Sequence, residues 1–362
     1  MDTPSESRRK EFKGVYYRYL SRKVLFVVLC IAIAVIAVGL ELSIGSYEVG
    51  FIDSYKALID HILGKVPPEE IGKGVDQVVW ELRFPRALAG FAVGAGLGVC
   101  GAAMQSSMKN PLADPYTTGI SAGASFGAAL AIILGFSLLP GAFGDTAIIV
   151  NAFVFSLIPA AAIVIISTFK RNVSPATMIL IGIAVMYFFT AATTFMKLTA
   201  SEESLAEIYI WNVGTIGKSS WDNIWYQIGA TIVGVVAIMV LSRKLNVLAV
   251  CDKDAVSLGV NAKHVRLVVL ALVSLVTAVL VSFTGTIGFV GLVAPHVTRL
   301  FLGSDNKYLV PASAAFGAVL LLCSDCVAKS IGTGLPVGVI TAVIGGPLFI
   351  YMLIKQAKKY RW

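Results

Sequence analysis

Apolar residues fall along the chain in ten runs, at about 24–43, 85–106, 116–137, 146–169, 176–197, 221–243, 265–284, 287–302, 310–331 and 336–356. Short polar segments bearing Pro or Gly separate them. Most runs are roughly 20 residues long, enough for about 30 Å of helix, the thickness of a bilayer's hydrocarbon core. The pattern predicts an all-α polytopic membrane protein of about ten transmembrane helices. The eighth run is short and its junction with the seventh is ambiguous, so the pattern alone leaves nine or ten. Small residues recur inside the runs, as in "GFAVGAGLGVCGAAM" and "GISAGASFGAALA". Such small-xxx-small spacing lets helix backbones approach where lipid offers no hydrophobic drive, and it predicts a tight bundle.

Composition agrees. The chain is 57% hydrophobic and 14% charged, with a mean hydropathy of +0.83; soluble chains carry about 25% charged residues. An ordinary soluble domain is excluded. Most of the 29 Lys and Arg fall in the N-terminal tail, alternate connections and the C-terminal end, and more than half of the acidic residues fall on the opposite side. By the positive-inside rule both termini are cytoplasmic in a cell membrane. That requires an even number of crossings and selects ten. The expected organisation is a basic tail 1–23, one transmembrane domain 24–357 and a short tail 358–362. External loops cover 44–84 and 198–220, and an inner loop covers 243–266. The 198–220 loop reads as a short amphipathic helix at the interface, with Trp211 and Trp221 as anchors. The first apolar run carries no small-residue cleavage site of a secretory signal.

"MQSSMKNPLADPYTTG", residues 104–119, interrupts two runs with Pro111 and Pro115. These prolines forbid a continuous helix, and Asn110 and Asp114 reject hydrocarbon. The stretch is either a polar turn at a membrane face or a broken helix lining something wet. The topology makes it a cytoplasmic turn. Asn110 would satisfy freed backbone groups and Asp114 would cap the third crossing. Gln105 would either line a path or bond a neighbouring helix. "TGTIGFVGLVAPH" again places glycines before a proline, which suggests an inverted repeat. Cys323 and Cys326 have the spacing of a redox or metal pair, but no second pair or histidine completes a site, so they read as helix packing. His296 beside Arg299 is a candidate proton relay or metal ligand; with no carboxylate or histidine cluster close in sequence, structural capping accounts for it better.

Four separated stretches carry a resemblance: "ELRFPRALAGFAVGAGLGVCGAAMQSSMKNPLADPYTTGISAGASFG", "DAVSLGVNAKHVR", "TGTIGFVGLVAPHVTRLFLGSDNKYLVPASAAFGAVLLLCSD" and "LPVGVITAVIGGPLFIYMLIK". In this order they resemble the FecCD/BtuC-type permeases of ABC importers for iron-siderophore and vitamin B12, over about residues 24–357. The resemblance implies a ten-helix type II importer permease. Its partners would be a second copy, two cytoplasmic ABC ATPase subunits, an external substrate-binding protein and membrane lipid; no nucleic acid is implied. The chain would bind no cofactor, since ATP and Mg would be used by the ATPases, and it contains no G-x-x-x-x-G-K-[ST] loop. ATPase coupling maps onto Asp254, Ala255, Ser257, Leu258 and Gly259. The cytoplasmic gate of the path maps onto Gln105, Asn110, Pro111, Leu112 and Asp114. Binding-protein docking maps onto Arg83, Arg86 and Lys329. Arg83 and Arg86 would sit three apart at the N-terminus of the second crossing, with Pro85 in its first turn, where a cation is disfavoured unless compensated. Asp325, four residues before Lys329, would pair with it along one helix. The chain departs from the family pattern at Pro175 and Ala176, where small hydroxyl residues are frequent, and at Gly334, where an acid is usual.

The leading expectation is a non-catalytic translocation subunit for a metal chelate. An ion-coupled secondary transporter would want intramembrane carboxylates, and mid-membrane Asp and Glu look nearly absent from the runs. A membrane enzyme would want a convergent acid, base or metal cluster, and the runs offer none.

Overall fold

The computed structural model describes the backbone of residues 4–66, 69–170, 173–249, 252–332 and 334–359, and the side chains of these except 4–20, 22, 252–254, 352, 353 and 355–359. The described regular structure is helical. In chain order the helices are α1 (Pro4–Ser43), α2 (Phe51–Ile62), α3 (Gly74–Ser107), α4 (Ile120–Leu134), α5 (Gly144–Phe169), α6 (Pro175–Lys197), α7 (Glu202–Val213), α8 (Ile224–Leu248), α9 (Asp252–Ser257), α10 (Ala262–Thr284), α11 (Val290–Leu302), α12 (Asn306–Ile331) and α13 (Val337–Lys359). Seven are long and apolar enough to cross a membrane: α1 over Lys23–Ser43, α3, α5, α6, α8, α10 and α12. Three are shorter apolar helices: α4, α11 and α13 over Val337–Tyr351. They correspond one for one with the ten apolar runs. We call the end at which α1 finishes the upper end, and the end at which α3 finishes the lower end.

Helix α3 is the axis of the bundle. Its most apolar window is 89% buried, against 22% for α6. The small residues make this possible. A Cβ on Gly94 would lie 2.4 Å from the Gly317 carbonyl oxygen, and one on Gly98 would lie 2.2 Å from that of Ser313. Helices α3 and α12 therefore touch backbone to backbone, an approach that any side chain at these positions would block.

Several expected boundaries move. The second crossing does not begin at Pro85. Its helix extends back to Gly74 through a π-helical stretch, Gln77–Arg83, in which Phe84 N–H bonds the Val79 carbonyl. Proline has no N–H to give to the carbonyl four residues back, and the wider winding accommodates that loss inside a continuous helix. The basic tail is not separate either, since α1 is one helix from Pro4. The inner loop shortens because α8 runs to Leu248 and α10 begins at Ala262.

Trp211 and Trp221 are not interfacial anchors. Trp211 is 9% exposed. Trp221 packs on Trp80 with tilted rings, centroids 4.8 Å apart, and donates Nε1–H to the Trp80 carbonyl at 3.0 Å. Trp221 is drawn inward because α3 begins eleven residues earlier than expected and brings Trp80 and Phe84 to the upper end, whereas Trp211 is buried in a cluster with Ala124 and Ala128 of α4 and Ile148 of α5. The rings of Trp225 and Tyr226, in the first turn of α8, are exposed.

Candidate functional site

At the upper end, Arg83, Arg86 and Lys329 line one cavity of about 560 Å³, together with Lys218, Glu81 and Gly334. The structure brings the three basic residues expected for docking to one cavity, and each is already engaged. Arg83 is buried and donates from Nη1 to the carbonyls of Leu42 (2.6 Å) and Ser43 (2.8 Å), and from Nη2 to that of Tyr47 (2.5 Å). It caps the C-terminus of α1, where a cation meets the negative end of the helix dipole. This is the compensation that an outward-placed arginine requires.

Arg86 forms a two-pronged ion pair with Asp325, Nε to Oδ2 and Nη2 to Oδ1, both at 2.8 Å. Its Nε also lies 3.5 Å from Glu41 Oε1. The expected Asp325–Lys329 pair along α12 is not formed. Lys329 instead pairs with the Glu41 carboxylate and donates to the Glu41 carbonyl at 3.2 Å. The reason is geometric. A guanidinium fork matches both oxygens of a carboxylate, so Arg86 takes Asp325 and leaves Lys329 to the acid on α1. Glu41 and Asp325 are fully buried. This cluster ties α1, α3 and α12 together, and Glu41, which the sequence reading left without a role, is its centre. The only signal for it was a lone acid inside an apolar run. Both cysteines are free thiols; Cys326 is buried with Sγ 3.5 Å from Glu41 Oε2, as a packing residue would be, whereas Cys323 is exposed and does not pack as expected. At Gly334, φ is +101°, a conformation that disfavours the family's acid.

Two non-helical segments meet inside the bundle. The turn after α3 does not stay at the lower face. A Cβ on Gly101 would lie 1.6 Å from the Gly291 carbonyl oxygen, and one on Gly291 would lie 3.1 Å from Asp114 Oδ1. Gly101 is six residues before Ser107, about 9 Å of helix rise. Asp114 therefore sits well above the lower end of α3, and the chain between them climbs back into the bundle. The segment 285–289 joining α10 to α11 descends to the same level, and Phe289 adopts φ +68° where α11 begins. Higher up, the end of α10 and the start of this segment are tied to the 212–215 stretch: Thr215 N–H donates to the Thr284 carbonyl at 2.7 Å, and the Thr286 hydroxyl donates to the Asn212 carbonyl. Irregular backbone at membrane depth is tolerated where it is buried within the protein. The two glycine–proline motifs suspected of repeating are thus in direct contact.

The gate residues are placed as follows. Asn110 Oδ1 accepts from Leu112 N–H at 2.9 Å, the backbone role expected of it. Pro111 follows it in the turn, and Leu112 is 38% exposed. Asp114 is buried and caps the short 3-10 turn Pro115–Thr118 through Tyr116 N–H, with Thr117 completing a capping box. It does not cap the third crossing, which starts only at Ile120 after Gly119 turns left-handed at φ +91°. Gln105 bonds a neighbouring helix, the second of its two options. Its Nε2 donates to the Leu292 carbonyl at 3.2 Å, and its Oε1 accepts from Arg299 Nη2 at 3.4 Å. His296 is buried with Nδ1 unbonded, and among the described residues no group of three His, Cys, Asp or Glu side chains could hold a metal. At the second inner turn, Ser174 caps α6 and Pro175 occupies its first position, where a missing N–H costs nothing.

The lower end carries the elbow. Ala255 is fully buried, while Leu258 is 66% and Val256 65% exposed. Ser257 is exposed beside them, and the side chain of Asp254 lies outside the described residues. Gly259, at φ +76°, ends α9: its N–H bonds the Val256 carbonyl at 2.9 Å, and Val260 N–H bonds the Ala255 carbonyl at 2.8 Å. These are the two bonds of a Schellman motif, which needs a left-handed residue at this position. Val256 was missed by the sequence reading, although an apolar residue two places from Leu258 in a polar loop was its signal. Beneath the elbow, Asn246 bonds Asp305 (2.7 Å) and Asn306 (2.8 Å), and Arg266 bonds the Ser107 carbonyl (2.9 Å), so the ends of α3, α8, α10 and α12 are locked together.

Comparison with known proteins matches this arrangement. An ABC transporter permease protein of Methanocaldococcus jannaschii is 36% identical over 95% of this chain and 98% of its own length. The cobalamin import system permease protein of Halobacterium salinarum is 38% identical over 76% of this chain and 73% of its own. Among solved structures, a metal-chelate type ABC transporter in an inward-facing conformation superposes with a TM-score of 0.78 at 29% identity, covering 91% of this chain and 98% of that one. The FecCD transport family model matches residues 29–355. With ten apolar helices, two unwound segments brought together at depth and an exposed apolar elbow at the lower end, the chain belongs to the FecCD transport family.

Proposed function

We propose that the chain is the permease subunit of an ABC importer for a metal chelate, of the iron-siderophore or cobalamin kind, and that it catalyses no bond chemistry itself. The observation that carries the reading is the pairing of unwound segments at depth with an exposed apolar elbow at the lower end. Force applied to Val256 and Leu258 is transmitted through the Schellman turn into α10, and through the 285–289 segment to the Gly101–Gly291 contact. A rigid lever ending at a helix break is what alternating access requires. In this reading the lower end is cytoplasmic, both termini lie there, and two ATPase subunits dock on the elbows of two paired copies in the cell membrane. An external binding protein covers the upper cavity around Arg83, Arg86 and Lys329. Because these cations are internally paired, they act there by shaping and rigidifying the rim, beside an exposed ion pair of Lys218 with Asp145 at 2.8 Å.

A second reading has one observation in its favour. The fold brings Asp114 inside the bundle, where a carboxylate could serve an ion-coupled transporter. Its use as a cap for Tyr116 N–H supports a structural role instead. Uptake of labelled ferric siderophore or cobalamin into vesicles holding the permease, its binding protein and an ATPase with the Walker lysine replaced separates the two. Loss of uptake supports the importer; undiminished uptake driven by an ion gradient overturns it.

A further inference from the structure

Helix α2 lies in a stretch expected to be an external loop, yet it presents three different faces. One is buried: Ser54 and Leu58 point inward, and Leu58 packs among Leu42, Val49 and Val79. At the end of this face, His61 stacks on Trp80 with ring centroids 4.1 Å apart and places Nδ1 2.5 Å from Asp76 Oδ1. A second face is polar and carries Asp53, Lys56 and Asp60, of which Asp53 and Lys56 are exposed. The third is apolar and uncovered. Ile52 is 79% exposed, Ile59 51% and Ile62 60%, with Tyr55 between them at helical spacing. Exposed isoleucines in a line beside a charged stripe mark an interaction surface.

Depth identifies what covers it. Helix α2 folds back onto α1: a Cβ on Gly39 would lie 2.6 Å from the Phe51 ring, and the Tyr55 hydroxyl donates to the Val35 carbonyl. The crossing part of α1 ends at Ser43. Gly39 lies about 6 Å below that end and Val35 about 12 Å below it. The first half of α2 therefore stands beside a span whose 21 residues match the hydrocarbon thickness. At the same depth α1 leaves Val35 and Ile36 each 54% exposed. The other end of α2 reaches Trp80, which packs on Phe84 and Trp221, and Trp221 stacks on the exposed Trp225. An exposed tryptophan at a helix end marks the headgroup level. A soluble partner reaching Ile52 would have to enter the acyl level at which Phe51 and Tyr55 stand.

We propose that α2 is an interfacial helix that rests on the upper leaflet of the bilayer, with Ile52, Ile59 and Ile62 in the acyl boundary and Asp53, Lys56 and Asp60 toward headgroups and water. Its buried face clamps it to α1 and α3. Tyr47, four residues before α2, lines the upper cavity and accepts from Arg83 through its carbonyl. The leaflet thus holds one side of the rim of that cavity in place.

The test is spin labelling of the full chain in phospholipid nanodiscs. The background carries Cys251→Ser and Cys323→Ser and keeps the buried Cys30, Cys100 and Cys326. Labels are placed by Ile52→Cys and Ile59→Cys on the apolar stripe, by Asp53→Cys and Lys56→Cys on the polar one, and by Ile31→Cys, 55% exposed within the crossing part of α1, as the lipid reference. All five positions are exposed, and thermal unfolding matched to the background confirms that each labelled chain is folded. Power saturation then compares collisions with oxygen, which concentrates in acyl chains, and with a water-soluble nickel chelate. The oxygen-to-nickel ratio is expected to be several-fold higher at Ile52 and Ile59 than at Asp53 and Lys56, and higher at Ile52 than at Ile59, since Ile52 is at the deep end. A nickel excess at either isoleucine overturns the proposal by placing α2 in water. Protection of both isoleucines from both reagents overturns it by revealing a protein cover, such as a second copy of the chain. An equal ratio at all four α2 positions overturns it as well, because an interfacial helix must have a wet side.

Discussion

Replacing Asp325 by Ala tests the cluster at the upper end most directly. In the native arrangement two carboxylates, Glu41 and Asp325, face two cations, Arg86 and Lys329, and both acids are fully buried. Removing Asp325 takes away both 2.8 Å bonds of the Arg86 fork. Arg86 is then left with Glu41 at 3.5 Å, an oxygen it shares with Lys329. One uncompensated positive charge remains in a site where the Arg86 side chain is only 22% exposed. Breaking a buried pair from one side costs about 3–5 kcal/mol, because the orphaned charge stays desolvated. Removing both partners as Arg86→Met with Asp325→Leu keeps the volume apolar and should recover most of that loss, since replacing such pairs by packed hydrophobic side chains is often neutral or better. The measurement is unfolding free energy in detergent or nanodiscs for Asp325→Ala and for the cycle of Asp325→Leu, Arg86→Met and their double variant, and the expected coupling between the two sites is above about 1 kcal/mol. If Asp325→Ala costs under about 1 kcal/mol, or if the double variant is as unstable as the single, the cluster is not the buried, mutually compensating unit described above.

Three further outcomes follow from the lower half of the molecule. Gly101→Leu drives a side chain into the Gly291 carbonyl, 1.6 Å from where its Cβ would lie; it should cost about 1–3 kcal/mol or more in unfolding free energy and abolish uptake, whereas a fully active variant would refute the contact. Val256→Asp with Leu258→Asp should lose association with the ATPase in co-purification while unfolding free energy changes by no more than about 0.5 kcal/mol, as for other surface positions; retained association would remove the elbow from the coupling role. Asp114→Ala should lose about 0.5–2 kcal/mol, the worth of a cap, whereas Asp114→Asn, which can still accept from Tyr116 N–H, should lose little; equal losses on equilibrium unfolding would mean that the charge, not the cap, is what the site needs.

The apolar runs by themselves determined the class of the molecule, the order of its apolar helices and the places where backbones would touch, and the Lys and Arg distribution settled nine or ten runs as ten. These properties depend on helix length, on the absence of water to satisfy a backbone and on residue size, all of which are local. The small-residue spacing at Gly94 and Gly98 therefore read correctly without knowledge of the partner. The turn chemistry of Asn110 was likewise legible, since an Asx-type bond reaches only two residues along the chain. What the tertiary structure decided were pairings across long separations. Arg86 could not be matched to Asp325 rather than left free, nor Lys329 to Glu41 rather than Asp325, because the choice depends on which side chain of a distant helix stands opposite and on the fit of a fork to a carboxylate. The start of α3 at Gly74, the inward turn of Trp211 and Trp221 and the climb of Asp114 into the bundle were hidden for a related reason. A proline or a polar residue marks a break in regular helix, but the depth at which that break sits is set by the neighbours that pair its freed backbone groups, and those neighbours are far away in the chain.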